Sequence, residues 1–138
     1  MRAVIDTNVV FEGLTRKGGC AQVMDAWADR KFVPCVSTAL ALEYEAVLSR
    51  KLKPAKADLA LTALQALLSR CEYAPIFFRW RPASPDPGDD MIVECVLNSQ
   101  SVLVTKNLKD FRRAAREFRF AVLNPSEWME LIESRSQK

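Results

Sequence analysis

Five short apolar runs, separated by stretches of helical periodicity, constrain this chain more than any other feature. The runs are Ala3-Val4-Ile5, Phe32 to Val36, Ala74 to Phe78, Val102 to Thr105 and Phe120 to Leu123. Strands that are apolar throughout, rather than at alternate positions, are buried on both faces. Such strands alternating with amphipathic helices predict a parallel sheet covered on both sides, an α/β fold. Helices are predicted through Val23, Met24 and Trp27, from the Ser37 cap to about Arg50, and from Pro54 through Arg70. Leu59, Leu61, Leu64, Leu67 and Leu68 lie close to helical spacing in the third of these. Further helices are predicted after Asp86-Pro87, after Asn107 and from Pro125. The stretch from Arg81 to Gly88 is proline-rich but too short to separate domains, so residues 1–138 read as one domain.

The chain has no histidine. That excludes Ser-His-Asp triads, Cys-His pairs and HExxH zinc sites. Acid–base chemistry then falls to carboxylates, lysine, tyrosine, cysteine or metal-bound water. Cys20, Cys35, Cys71 and Cys95 form no CxxC pair and sit beside apolar residues, as small buried hydrophobes do. The start carries no apolar run of signal-peptide length, and no stretch reaches a membrane span, so a cytoplasmic protein with no membrane partner is expected. A formal net charge of +3 permits a polyanionic partner without requiring one.

In parallel sheets, ligands bind beyond the carboxyl ends of the strands. Asp6-Thr7-Asn8 follows the first strand, and Thr105 to Asp110 follows the Val102–Val104 strand. Asp6 at the end of a buried strand is costly unless paired, although it could equally cap the next segment. Glu43 and Glu45 both have apolar helical neighbours, which does not separate them. Asp86 and Asp89 suit a helix start, whereas Asp90 is less well explained by capping. Asn107 and Asp110 have the spacing of a capping box. If these acids converge they form an oxygen-only site, suited to Mg²⁺ or Mn²⁺. Lys106, Lys109, Arg112, Arg113, Arg116 and Arg119 form a basic stripe beside that region, able to meet phosphates or simply water. Arg16 and Lys17 are a weaker pair of the same kind. Trp27, Trp80 and Trp128 read as packing residues, with Trp80 between two arginines the exception to watch.

Val4-Ile5-Asp6-Thr7-Asn8-Val9, Val36 to Glu43, Asp86-Pro87-Gly88-Asp89-Asp90-Met91-Ile92, Val102 to Phe111 and Val122 to Trp128 together resemble the PIN-domain ribonucleases, especially the toxins of toxin–antitoxin pairs. The resemblance implies a three-layer α/β/α sandwich around a parallel sheet and Mg²⁺- or Mn²⁺-dependent cleavage of RNA. It implies Asp6, Glu43, Asp90 and Asp110 as catalytic, metal-ligating acids, with Thr7, Asn8, Asp89, Thr105 and Asn107 in support. Lys106, Lys109, Arg112, Arg113 and Arg116 become RNA contacts. Many relatives carry an acid where Asn107 stands, which is why the fourth acid is placed at Asp110. Hydrolysis of this kind leaves 5′-phosphate and 3′-hydroxyl ends. A homodimer and an antitoxin partner are also implied. The competing reading is a PIN-like domain that has lost catalysis and binds RNA or protein. A response-regulator, a haloacid-dehalogenase-type phosphatase and a dinucleotide site all fit less well, since Thr7, Asn8 and the lack of glycines there break their patterns.

Overall fold

The computed structural model describes residues 1–77 and 87–136. Asp86, Trp80 and the arginines beside it lie outside the described residues. Strands β1 (Arg2–Ile5), β2 (Val33–Val36), β3 (Glu72–Tyr73), β4 (Val102–Val104) and β5 (Val122–Leu123) form one sheet. All four pairings are parallel, in the order β3-β2-β1-β4-β5. The helices are α1 (Thr7–Leu14), α2 (Gly18–Ala28), α3 (Thr38–Lys51), α4 (Pro54–Leu68), α5 (Pro87–Ser99), α6 (Leu108–Phe118) and α7 (Pro125–Ser136). Right-handed crossovers that run toward β3 and those that run toward β5 place their helices on opposite faces, which yields three layers.

The expected α/β architecture is therefore present, with four local differences. The chain enters α1 at Thr7, where the sequence suggested only strand-end polar residues and a loop. The third strand is Glu72–Tyr73, and Ala74 to Phe77 is not strand. Both strand residues are exposed, so this edge strand lacks the apolar run that marks the inner ones. In α4, Leu59 is 75% exposed, whereas Leu64, Leu67 and Leu68 are buried. Cys71 is only half-buried.

β1 and β4 are buried from Ala3 to Ile5 and at Leu103 and Val104. Trp27 and Trp128 are both fully buried, and Phe32 meets each ring edge-on, at 6.5 and 5.2 Å between centroids. Trp27 Nε1 donates to the Leu67 carbonyl at 2.8 Å, tying α2 to α4. Trp128 Nε1 has no partner among the described residues. Gly13 is needed where α1 crosses α2. A Cβ there would lie 2.6 Å from the Cys20 carbonyl oxygen and would also collide with Met24 Cγ. Among the described residues no helix is long and apolar enough to cross a membrane.

Candidate functional site

The strand order reverses between β1 and β4, from which the chain proceeds outward in opposite directions. Such a switch point leaves a crevice at the strands' carboxyl ends, because the flanking connections leave to opposite faces. Ile5 and Val104 are register partners, so Asp6 and Thr105 emerge side by side into that crevice. Thr105 Oγ1 donates to Asp6 Oδ2 at 2.6 Å. The same Thr105 oxygen accepts the Asn107 backbone N–H at 3.0 Å, which fixes the start of the β4–α6 loop.

Asp6 is 5% exposed and Thr105 is fully buried. Asp6 precedes α1 in the capping position, yet its side chain makes no cap hydrogen bond. Its backbone carbonyl instead accepts from Val9 and Val10 at 3.0 and 3.1 Å. The carboxylate is thus not spent on starting the helix. Burial raises its pKa above the ordinary value, and the nearby charge of Asp110 raises it further; the Thr105 hydroxyl and the Thr7 N–H pull the other way. A carboxyl held in this balance carries its charge at a cost. A cation would offset that cost.

The other predicted acids come from helices packed around this end. Helix α5 packs on β1, β2, α3 and α6. Its first turn carries Asp89, half-buried at the helix start, and Asp90, 4% exposed and so buried. Asp110 lies in the first turn of α6 and is exposed, and its charge reaches Asp6. Neighbouring side chains differ between Glu43 and Glu45. Glu45 accepts from Gln65 Nε2 of α4 at 2.8 Å. Glu43 lies on the other side of Tyr44, whose hydroxyl donates to the Ile5 carbonyl just before Asp6. Glu43 is half-buried and makes no hydrogen bond or ion pair among the described residues.

Asn107 and Asp110 do not form the capping box that their spacing suggested. The Asp110 N–H bonds the Asn107 backbone carbonyl at 3.1 Å, and the Asn107 side chain caps nothing. Thr7 is buried and Asn8 exposed. Lys106 is in the loop, paired with Glu12 at 3.0 Å. Lys109, Arg112, Arg113 and Arg116 are exposed, while Phe111 and Ala114 turn inward.

Among the described residues no three Cys, Asp or Glu side chains stand close enough together to hold a metal ion. The arrangement therefore offers carboxylates in ones and twos around a crevice rather than a closed cage. Sequence reasoning passed over Glu94, an acid only 2% exposed. It lies four residues beyond Asp90, on the same face of α5, and that spacing was the available signal.

A search of curated protein sequences finds no match. Among solved structures, the chain is similar to VapBC2 from Rickettsia felis, bound to a DNA fragment from their promoter. That match has 16% identity and a TM-score of 0.64, over 90% of this chain and 98% of that one. FitAcB from Neisseria gonorrhoeae is similar at 16% identity and a TM-score of 0.60, covering 89% and 97%. VapBC-1 from nontypeable Haemophilus influenzae is similar at 13% and 0.59, covering 91% and 99%. At such identities these likenesses speak to the fold. A family model described as a PIN domain matches residues 2–109, from the first strand into the loop and helix that carry Thr105 and Asn107, and the chain belongs to the PIN-domain family.

Proposed function

We propose that this protein is a divalent-cation-dependent endoribonuclease and the toxin of a toxin–antitoxin pair. The observation that carries the reading is Asp6, a buried carboxylate at the switch point of a parallel sheet, held by Thr105 and not used as a helix cap. Membership of the PIN-domain family and likeness to VapBC and FitAcB structures support it.

The donor set suits Mg²⁺ or Mn²⁺, because every candidate ligand is a carboxylate oxygen. Mg²⁺ retains several waters and is commonly held by one or two carboxylates plus substrate phosphate. Asp6 and Asp90 would hold the ion, with Glu43 and Asp110 completing the site directly or through water. An ion held there would supply Lewis-acid polarisation of a phosphodiester and activation of water near neutral pH. Thr105 keeps the Asp6 carboxylate in one orientation. The Thr7 backbone N–H helps to hold the Asp6 charge; Asn8 and Asn107 line the recess beside it, and Asp89 would support the site next to Asp90. Lys106, Lys109, Arg112, Arg113 and Arg116 would meet RNA phosphates. As partners we assign an antitoxin protein and a second copy of this chain.

The competing reading, a PIN-like domain without catalysis, draws on Asn107 standing where many relatives carry an acid. One experiment separates the two: cleavage of a labelled mixed RNA pool with Mg²⁺, Mn²⁺ or EDTA, beside Asp6→Asn. Metal-dependent cutting that Asp6→Asn abolishes is expected, leaving 5′-phosphate and 3′-hydroxyl ends. No cutting together with no Mn²⁺ binding would overturn the nuclease.

A further inference from the structure

Beside the Asp6–Thr105 pair the surface opens into a polar cavity of about 310 Å³. Asn8 and Asn107 line it, and each lies two residues beyond a member of the pair. The remaining lining is rich in lysine: Lys17 from the α1–α2 connection, Lys51 from the last turn of α3 and Lys106 from the β4–α6 loop. Lys51 Nζ sits 5.2 Å from the centroid of the Phe11 ring. Lys106 is bonded to Glu12, the only acid of the lining. Three ammonium groups against one carboxylate leave two positive charges in a chain whose formal net charge is +3.

All three lysines are exposed, and they come from three separate elements. Bringing like charges together is unfavourable, and the Lys106–Glu12 pair and the Lys51–Phe11 contact offset only part of that cost. Ammonium and amide N–H groups converging on one polar recess suit a compact anion rich in acceptor oxygens. The adjoining recess, about 540 Å³ and floored by Leu14, Leu52 and Leu59, shares Phe11, Lys17 and Lys51 but is mostly apolar. That recess suits a protein surface. The polar cavity, edged by Asn8 and Asn107, does not.

We propose that the Lys17–Lys51–Lys106 cavity seats a backbone phosphate of single-stranded RNA, next to the phosphate that is cut. This rests on the nuclease reading. It leads the strand across α1 and the end of α3, a path distinct from the basic face of α6. Lys17 and Lys51 are binding residues for the flanking nucleotide and take no part in proton transfer. Lys51 also suits the negative end of α3, but Arg50 does so equally without lining the cavity.

The test is fluorescence anisotropy of a short labelled single-stranded RNA on the full chain, in EDTA, across a salt series. Removing one phosphate contact lowers the slope of log K against log salt by about 0.7 for a single strand. Lys17→Ala and Lys51→Ala should each lower it by about that much, the double variant by about twice as much, and Arg50→Ala not at all. The same change is expected on single-stranded DNA, since a phosphate contact ignores the ribose. With metal present, both lysine variants should raise KM and leave kcat unchanged. An unaltered slope in the double variant, with metal-dependent cleavage intact in the wild type, refutes the cavity and leaves the nuclease standing. A wild type that neither binds nor cuts RNA refutes both. Lysine-dependent binding of polyglutamate without RNA binding would give the cavity to an acidic protein partner and overturn the proposal.

Discussion

Replacing Gly13 with alanine tests the helix crossing that seats the α1 end of the site. In isolation the change favours a helix by about 1 kcal/mol, since glycine is the poorer helix former. Here the new Cβ meets two obstacles. Met24 Cγ belongs to a flexible side chain and can swing away. The Cys20 carbonyl oxygen, 2.6 Å from that Cβ, is backbone inside α2 and can yield only if α1 and α2 move apart. Overpacking of this kind costs about 1–3 kcal/mol. A backbone clash belongs at the upper end, so the net loss is about 2 kcal/mol. For a chain of 138 residues that is a fall in Tm of about 8 °C, taking roughly 4 °C per kcal/mol. Gly19→Ala is the control. Its Cβ meets nothing within 4 Å, so it should be neutral or slightly stabilising through the unfolded chain. Urea unfolding followed by circular dichroism reads both variants, with the slope m unchanged and only the midpoint shifted. A Gly13→Ala protein as stable as the wild type, or a Gly19→Ala protein equally destabilised, would refute the crossing.

Two further predictions concern the acids. In metal-free buffer Asp6→Asn should raise stability at neutral pH. The folded carboxyl titrates above its ordinary value, mainly through burial. As pH rises through the ordinary range the unfolded chain loses its proton first, and stability falls until the folded pKa is passed. The variant's advantage should therefore vanish at a pH below the ordinary carboxylate range and reach its full size once the folded pKa is passed, which thermal melts in EDTA will show; a less stable variant at neutral pH contradicts the assignment. Glu127→Ala should lower stability by about 1 kcal/mol, because Glu127 Oε1 accepts the Asn124 N–H at 2.9 Å while Asn124 Oδ1 accepts the Glu127 N–H at 2.7 Å. Asp110→Ala, at the same spacing from Asn107, should change stability by under about 0.5 kcal/mol in the same melts, and a loss matching Glu127→Ala would mean Asp110 is structural.

How far the fold could be read from the chain follows from where each element lies. β1 and β4 are buried on both faces, so their apolar runs announce them. β3 is an exposed edge; nothing demands hydrophobic side chains there, and the apolar residues just after it gave the false signal. α1 has no side-chain cap and follows Asp6 directly, so the usual start signal is missing from a helix of only eight residues. The leucines of α4 share one spacing, but neighbouring helices decide which are covered, and Leu59 is left outside. That Glu45 has a side-chain partner was invisible for the same reason: it depends on Gln65, twenty residues from Glu45 and one helix away. Asp6 was legible because two independent rules met on it, the cost of a carboxylate ending a buried strand and the location of ligands at parallel strand ends.

What separates structural acids from candidate functional ones here is whether the fold already uses their oxygens. Glu127 closes a capping box, Glu72 pairs with Arg2 at 2.7 Å and Asp25 takes both arms of Arg16. Each is satisfied by a partner that the local structure supplies. Asp6 stands apart from these. It occupies the position from which an aspartate would cap α1, and its side chain makes no such bond; it is buried where charge is costly, and its one side-chain donor is a threonine that is itself held by the next loop. Asparagine in its place would keep the Thr105 hydrogen bond without the charge. The Asp6 charge at the switch point, made costlier still by Asp110, is a cost that the proposed cation would offset.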